Sequence, residues 1–224
     1  MSWTIFAPAD GVTPYDLNTP LFTDYAGKLR TVWVSGGEAA IYSDDAVFSF
    51  PEGTVITKTF YYEKGAGPDQ VLKSDIVLGA ATQLDLAKTR LVETRILVRR
   101  ADGWDGLPYV WNDEQTEAYL KRTGDVKRFT LVDGDDQKDF PYIVPNVNQC
   151  AGCHATDSAS RDLQPIGPKA RHLDRDYEYE DAVQNQLDYW ASAGLLEGRK
   201  AMSGAANVNW LDINETISNR ARAY

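Results

Sequence analysis

Both cysteines of the chain, Cys150 and Cys153, and one of its two histidines, His154, fall within five consecutive positions of the stretch "NVNQCAGCHATD", Asn146 to Asp157. The order is C-x-x-C-H. Two thiols three positions apart can each add to one of the two vinyl groups of haem, and the histidine that follows then falls beneath the iron as its proximal ligand. Ala151 and Gly152 fill the gap with small residues, so the backbone can lie close to a flat macrocycle. Two cysteines and two histidines scattered at random would fall into this pattern on the order of once in 10,000 arrangements. The spacing predicts one covalent haem c, held by Cys150 and Cys153, with His154 as proximal iron ligand.

Three other chemistries use the same residue types. A structural disulfide across C-x-x-C is one, but it does not need the histidine. Zinc could draw on Cys150, Cys153, His154 and His172. Adjacent Cys153 and His154 are poor tetrahedral partners, however, and zinc ligands usually come as two separated pairs. Thioredoxin-like exchange wants a βαβ unit around the motif, and none precedes it. Haem is the preferred reading, with a non-haem zinc or disulfide domain as the alternative of another class.

The rest of a haem site is less constrained. The Gly-Pro of "QPIGPKARHLDRD", Gln164 to Asp176, resembles the loop of small cytochromes c whose proline carbonyl accepts a hydrogen bond from the proximal histidine. That likeness gives the role to Pro168; a plain turn before the next helix is the alternative. For the distal ligand, Met202 in "GRKAMSGAAN" lies 48 residues beyond His154, a spacing found in His/Met cytochromes, although a lone methionine beside a loop more often fills a packing gap. His172 follows the Gly-Pro so closely that it belongs on the proximal side or in solvent. An open distal face that binds a small molecule is the third option. Lys58, in a strand with Ile56, Phe60 and Tyr62 on one face, could approach a haem edge or sit at a sheet rim with its amine in water.

The elements that must position these residues are mostly strands. "KLRTVWV" (28–34), "GTVITKTFYY" (53–62), "LVETRILVRR" (91–100), "LPYVWN" (107–112) and "KRFTLV" (127–132) are rich in β-branched and aromatic residues. In the third, Val92, Thr94, Ile96 and Val98 share one face, and Glu93, Arg95 and Arg99 lie on the other, the pattern of a sheet with one wet side. The Asp-Gly pairs of "ADGWDG" predict a hairpin between the third and fourth runs. The acidic "DGDDQKD", 133–139, reads as a solvated loop. After Cys150, "EYEDAVQNQLDYWASAG", 178–194, spaces Val183, Leu187 and Trp190 for a helix that Gly194 would stop. "DINETISNRARAY", 212–224, reads as a second helix with an apolar stripe, which stops at the last residue as though the chain were cut short.

The expected fold is therefore α+β: an antiparallel β-sheet domain over residues 1–145, followed by a helical, c-type haem-bearing segment over residues 146–224 whose two helices could pack with the sheet as one unit. A net charge of −10, from 23 basic and 33 acidic residues, repels phosphates and argues against a nucleic-acid partner. A basic or neutral redox protein suits it better. No apolar run is long enough to span a membrane. The start, "MSWTIFAPADG", lacks the basic and apolar regions of a secretory signal, yet covalent haem attachment implies maturation outside the cytoplasm, so a periplasmic protein without its signal is expected.

Longer stretches carry a family likeness. "TPYDLNTPLFTDYAGKLRTVWV", "FPEGTVITKTFYY", "ETRILVR", "GWDGLPYVWNDEQTEA", "YIVPNVNQCAGCH", "PIGPKAR" and "RARAY" together resemble a family of bacterial, secreted, mostly dihaem c-type cytochromes of poorly defined function. The likeness runs from Thr13 to Tyr224. In that family "RARAY" leads into a second C-x-x-C-H, so it implies a second haem domain, absent from this chain, as a redox partner. "FPEGTVITK" followed later by C-x-x-C-H is also similar to β-rich cytochromes with a lysine cross-linked to haem and to their ligand-binding relatives. The function expected is electron transfer rather than enzymatic turnover, with a small-molecule haem site as the alternative.

Overall fold

The computed structural model describes residues 5–74, 82–155, 159, 162–180, 182–200 and 206–223. In chain order its strands are β1 (Ile5–Phe6), β2 (Thr13–Tyr15), β3 (Gly27–Trp33), β4 (Ala40–Ile41), β5 (Val55–Lys64), β6 (Gln70–Leu72), β7 (Leu84–Asp85), β8 (Thr89–Arg100), β9 (Gly103–Trp111), β10 (Ala118–Leu120), β11 (Asp125–Asp133), β12 (Asp136–Val144), β13 (Asp176–Glu178), β14 (Val183–Asn185) and β15 (Leu196–Glu197). The helices are α1 (Val147–His154), α2 (Ala170–Leu173), α3 (Gln186–Ser192) and α4 (Ile217–Ala223).

Nine strands form one sheet that curls into a half-barrel. Along its main path the order is β10-β9-β8-β5-β6-β11-β12. The long β5 pairs with β8 along one edge; along the other it pairs first with β3, which carries β2, and then with β6. All these pairings are antiparallel except the short β6–β11 pair. β5 and β8 form because their Val, Ile, Thr and Tyr side chains suit a pleated surface that is covered on both sides. The expected hairpin is present, but Ala101 and Asp102 make the turn, and the second Asp-Gly, Asp105–Gly106, lies inside β9. β12 takes up most of the acidic stretch read as a loop: Asp133 pairs with Asp136 across a tight turn and the charged residues stand exposed on the strand.

The α+β expectation is overturned. The protein is mostly β, 41% strand against 13% helix, and no helical segment follows the sheet. The four helices are short, from four to eight residues, and β13, β14 and β15 are interleaved with them. Over 178–194 the expected helix divides into the β13–β14 hairpin and α3. Tyr177 and Tyr179 point inward while Asp176, Glu178 and Glu180 face solvent, a period of two that the longer-range spacing of Val183, Leu187 and Trp190 obscured. Val183 is 65% exposed, so it never belonged to that stripe. Among the described residues of the last stretch, α4 alone is helical; it has no buried residue, and Ile213 and Ile217 lie open to solvent.

The main core crosses the expected boundary at residue 145. Tyr15, Val32, Phe48 and Ile56 pack with Leu173, Leu187 and Trp190 in one cluster. β15 runs parallel to β4, which ties Leu196 to Ala40 across most of the sequence. A second cluster, including Phe60, Tyr62, Phe129 and Tyr142, fills the curl of the sheet.

Candidate functional site

α1 begins with a capping box. Asn146 Oδ1 accepts from the Gln149 amide at 2.8 Å, and Gln149 Oε1 accepts from the Asn146 amide at 2.8 Å. The amide of Val147 donates to the Arg122 carbonyl, which anchors the helix to the loop after β10. Cys150 is half-buried against β9, and Cys153 is exposed. The contact with β9 depends on Gly106: a Cβ there would lie 3.4 Å from Leu163 Cδ1 and 3.7 Å from Cys150 Sγ, so any side chain beyond a methyl would push the helix away. Both thiols are free rather than joined as a disulfide, and burial pushes that of Cys150 up.

His154 ends α1 and is fastened to the next segment twice. Its carbonyl accepts from the Gln164 amide at 2.9 Å, and its ring Nδ1 donates to the Gln164 carbonyl at 2.7 Å. A carbonyl can only accept, so the ring proton sits on Nδ1 and Nε2 keeps its lone pair, the tautomer of a metal-bound histidine. Burial holds this imidazole below the usual histidine range. The orienting bond expected at Pro168 thus falls at Gln164, four residues earlier. The bridge between Ala155 and Leu163 brings Gln164 alongside His154, whereas the Pro168 carbonyl accepts from the amide of Phe48. Pro168 does line the same cavity.

That cavity is about 800 Å³, and it brings together Cys150, Cys153 and His154 from α1, Lys58 from β5 and His172 from α2. Its size lies in the range of about 300–1,000 Å³ usual for small-molecule and cofactor sites. Ile56, Ile96, Leu97, Leu107, Pro108 and Ile166 supply apolar walls. Its charge is one-sided: Lys28, Arg30, Lys58, Arg95, Arg171 and Arg222 line it, and no described lining residue is an Asp or Glu, in a chain of net charge −10. Asn207 Nδ2 donates to His172 Nδ1 at 3.0 Å, which leaves the proton of that ring on Nε2, and burial pushes the ring down to about 4. Met202 lies outside the described residues.

On the face expected to be wet in "LVETRILVRR", Arg95 lines the cavity, and Glu93 and Arg95 satisfy each other. Glu93 is fully buried and accepts from Arg95 through Nε at 2.8 Å and Nη2 at 2.6 Å, and from the Tyr142 hydroxyl at 2.7 Å. The Arg95 guanidinium stacks 4.4 Å from the centre of the Phe60 ring. Sequence reasoning missed this network. The alternation it noticed was real, but alternation does not say whether a polar face meets solvent or a polar cavity.

Among the described residues no three His, Cys, Asp or Glu side chains converge to hold a bare metal ion. A haem brings four ligands of its own and would ask of the chain only an imidazole and two thiols, the residue types of Cys150, Cys153 and His154. Nor does any helix among the described residues have the length and apolarity to cross a membrane. No family model, curated protein or solved structure matches the chain.

Proposed function

We propose that this protein is a c-type cytochrome of the bacterial periplasm that carries one haem, bonded to Cys150 and Cys153 and ligated by His154, and transfers electrons to a redox partner protein. The observation that carries this reading is the pairing of C-x-x-C-H with a His154 ring whose Nδ1 is committed to the Gln164 carbonyl, on a helix at the mouth of a cofactor-sized cavity. When bound, the haem supplies a one-electron couple. The chain's own residues do the rest. The capping box and Gly106 hold the thiols against β9, Gln164 fixes the imidazole tautomer, and Ile56, Leu97 and Leu107 of β5, β8 and β9 supply apolar wall.

A second reading, a haem protein whose open distal side binds a small molecule, is favoured by Lys58, which faces the cavity with no hydrogen-bond or ion-pair partner among the described residues. Visible spectra of protein matured with a c-type haem attachment system test both. A Soret band with a c-type pyridine haemochrome is expected, and its absence would sink both readings. Carbon monoxide that leaves the reduced spectrum unchanged fits a six-coordinate electron carrier, and a carbon monoxide complex fits the open site.

A further inference from the structure

Arg30, Lys58 and Arg95 are direct cross-strand partners, Arg30 opposite Lys58 between β3 and β5, and Lys58 opposite Arg95 between β5 and β8. Directly opposed residues project from the same face, and all three line the cavity. Three cations abreast repel one another. The outer two are neutralised, Arg30 by Asp16 at 2.6 Å and Arg95 by Glu93 at 2.6 Å. Lys28, one place further along the same face, spends its amine on the carbonyls of Leu21 and Ala26. Lys58 in the centre has neither a hydrogen-bond nor an ion-pair partner among the described residues, and its amine lies 5.2 Å from the centre of the Phe60 ring. An ammonium half-buried between two guanidinium groups, with no carboxylate of its own among the described residues, is a costly arrangement, and an anion placed against it would offset part of that cost.

We propose that the Arg30–Lys58–Arg95 row is an anion subsite of the cavity, with Lys58 as its principal contact and a carboxylate or small oxyanion as its ligand. The three residues flank the thiol helix: the next row along the sheet contains Gly106, the residue against which Cys150 packs. The anion has two sources of the same chemistry, the carboxylates of a haem held by α1 or a free anion that enters the cavity. The subsite deepens the second reading of the cavity and rests on it for its use, but the binding itself needs only the side chains. Burial and the two neighbouring arginines push the Lys58 amine down to about 7, so anion binding strengthens as pH falls through neutrality.

The test is calorimetric titration of the full chain with inorganic phosphate at about pH 6, where Lys58 is charged. It is run on haem-loaded protein and on Cys150→Ala/Cys153→Ala protein made without haem maturation. The haem-free protein should bind phosphate, and Lys58→Gln should weaken binding about tenfold or more. Lys138→Gln, at an exposed position of β12, should leave it unchanged. Binding in the haem-free form alone assigns the subsite to haem carboxylates, and binding in both forms assigns it to a free anion. Without ligand, Lys58→Gln should also unfold at a higher temperature than the parent, because the uncompensated charge is gone. Haem-free protein that binds no phosphate, or binds it equally with Lys58→Gln, would overturn the proposal. A chain that takes up no haem at all would fail in its spectrum and leave the phosphate result standing.

Discussion

Substituting Glu93 tests the claim that the polar face of β8 is a buried network. Glu93→Ala removes a fully buried carboxylate that accepts three hydrogen bonds, and it strands the Arg95 guanidinium and the Tyr142 hydroxyl. Breaking a buried ion pair from one side costs about 3–5 kcal/mol. Arg95 is 27% exposed toward the cavity and keeps some solvation, so the lower end, about 3 kcal/mol, is expected. For a chain of this length that lowers the melting temperature by roughly 6–12 °C. Glu93→Gln keeps one oxygen that Arg95 Nη2 and the Tyr142 hydroxyl can share but loses the acceptor of Arg95 Nε, and should cost about 1–2 kcal/mol. Urea unfolding followed by tryptophan fluorescence gives these values, with the slope unchanged if only stability is affected. In a double-mutant cycle, Glu93→Ala and Arg95→Ala should couple by about 1.5 kcal/mol or more, because removing Arg95 relieves the stranded charge. Additive effects, or a Glu93→Ala protein within about 0.5 kcal/mol of the parent, would refute the network.

Three further outcomes follow from the same geometry. The Lys28 and Lys58 amines are pushed down to about 7 from 10.5, chiefly by burial, so between pH 7 and 10 the unfolded chain binds more protons than the folded one and stability rises with pH. Above about pH 10 the trend reverses as unfolded tyrosines ionise before Tyr15 and Tyr61, which are pushed up to about 12; urea midpoints should trace this rise and fall, and Lys58→Met should flatten the rise. On the acid side His172, pushed down to about 4, removes stability as pH falls below 6.5, and His172→Gln should make the midpoint less sensitive to pH there. Gly106→Ala should keep haem attachment, whereas Gly106→Leu should displace α1, cost about 1–3 kcal/mol and lower the haem stain per polypeptide.

The strands of the sheet were legible in the sequence because they are local patterns: β5 and β8 are long runs of β-branched and aromatic side chains. The long-range pairings were not. Nothing in "QVL" announces that β6 lies parallel to β11, and nothing near Ala40 announces β15. Helical spacing misled at 178–194, where a period of two in "DYEYE" competed with a longer apolar spacing and tertiary packing of Tyr177 and Tyr179 decided for the strand. The bond to His154 went to Gln164 because the bridge after α1 sets which carbonyl lies beside the ring, a matter of chain path rather than residue type. Lys58 was picked out by its apolar neighbours, but its partners Arg30 and Arg95 became visible only with the register of β3, β5 and β8.

The central claim is that Cys150 and Cys153 carry haem. Intact mass under denaturing conditions, on protein exported to a periplasm with c-type haem maturation, tests it most directly. The account predicts a gain of one haem that survives denaturation, both thiols closed to alkylation, and loss of both features in Cys150→Ala/Cys153→Ala. An unmodified mass with two alkylatable thiols would contradict it.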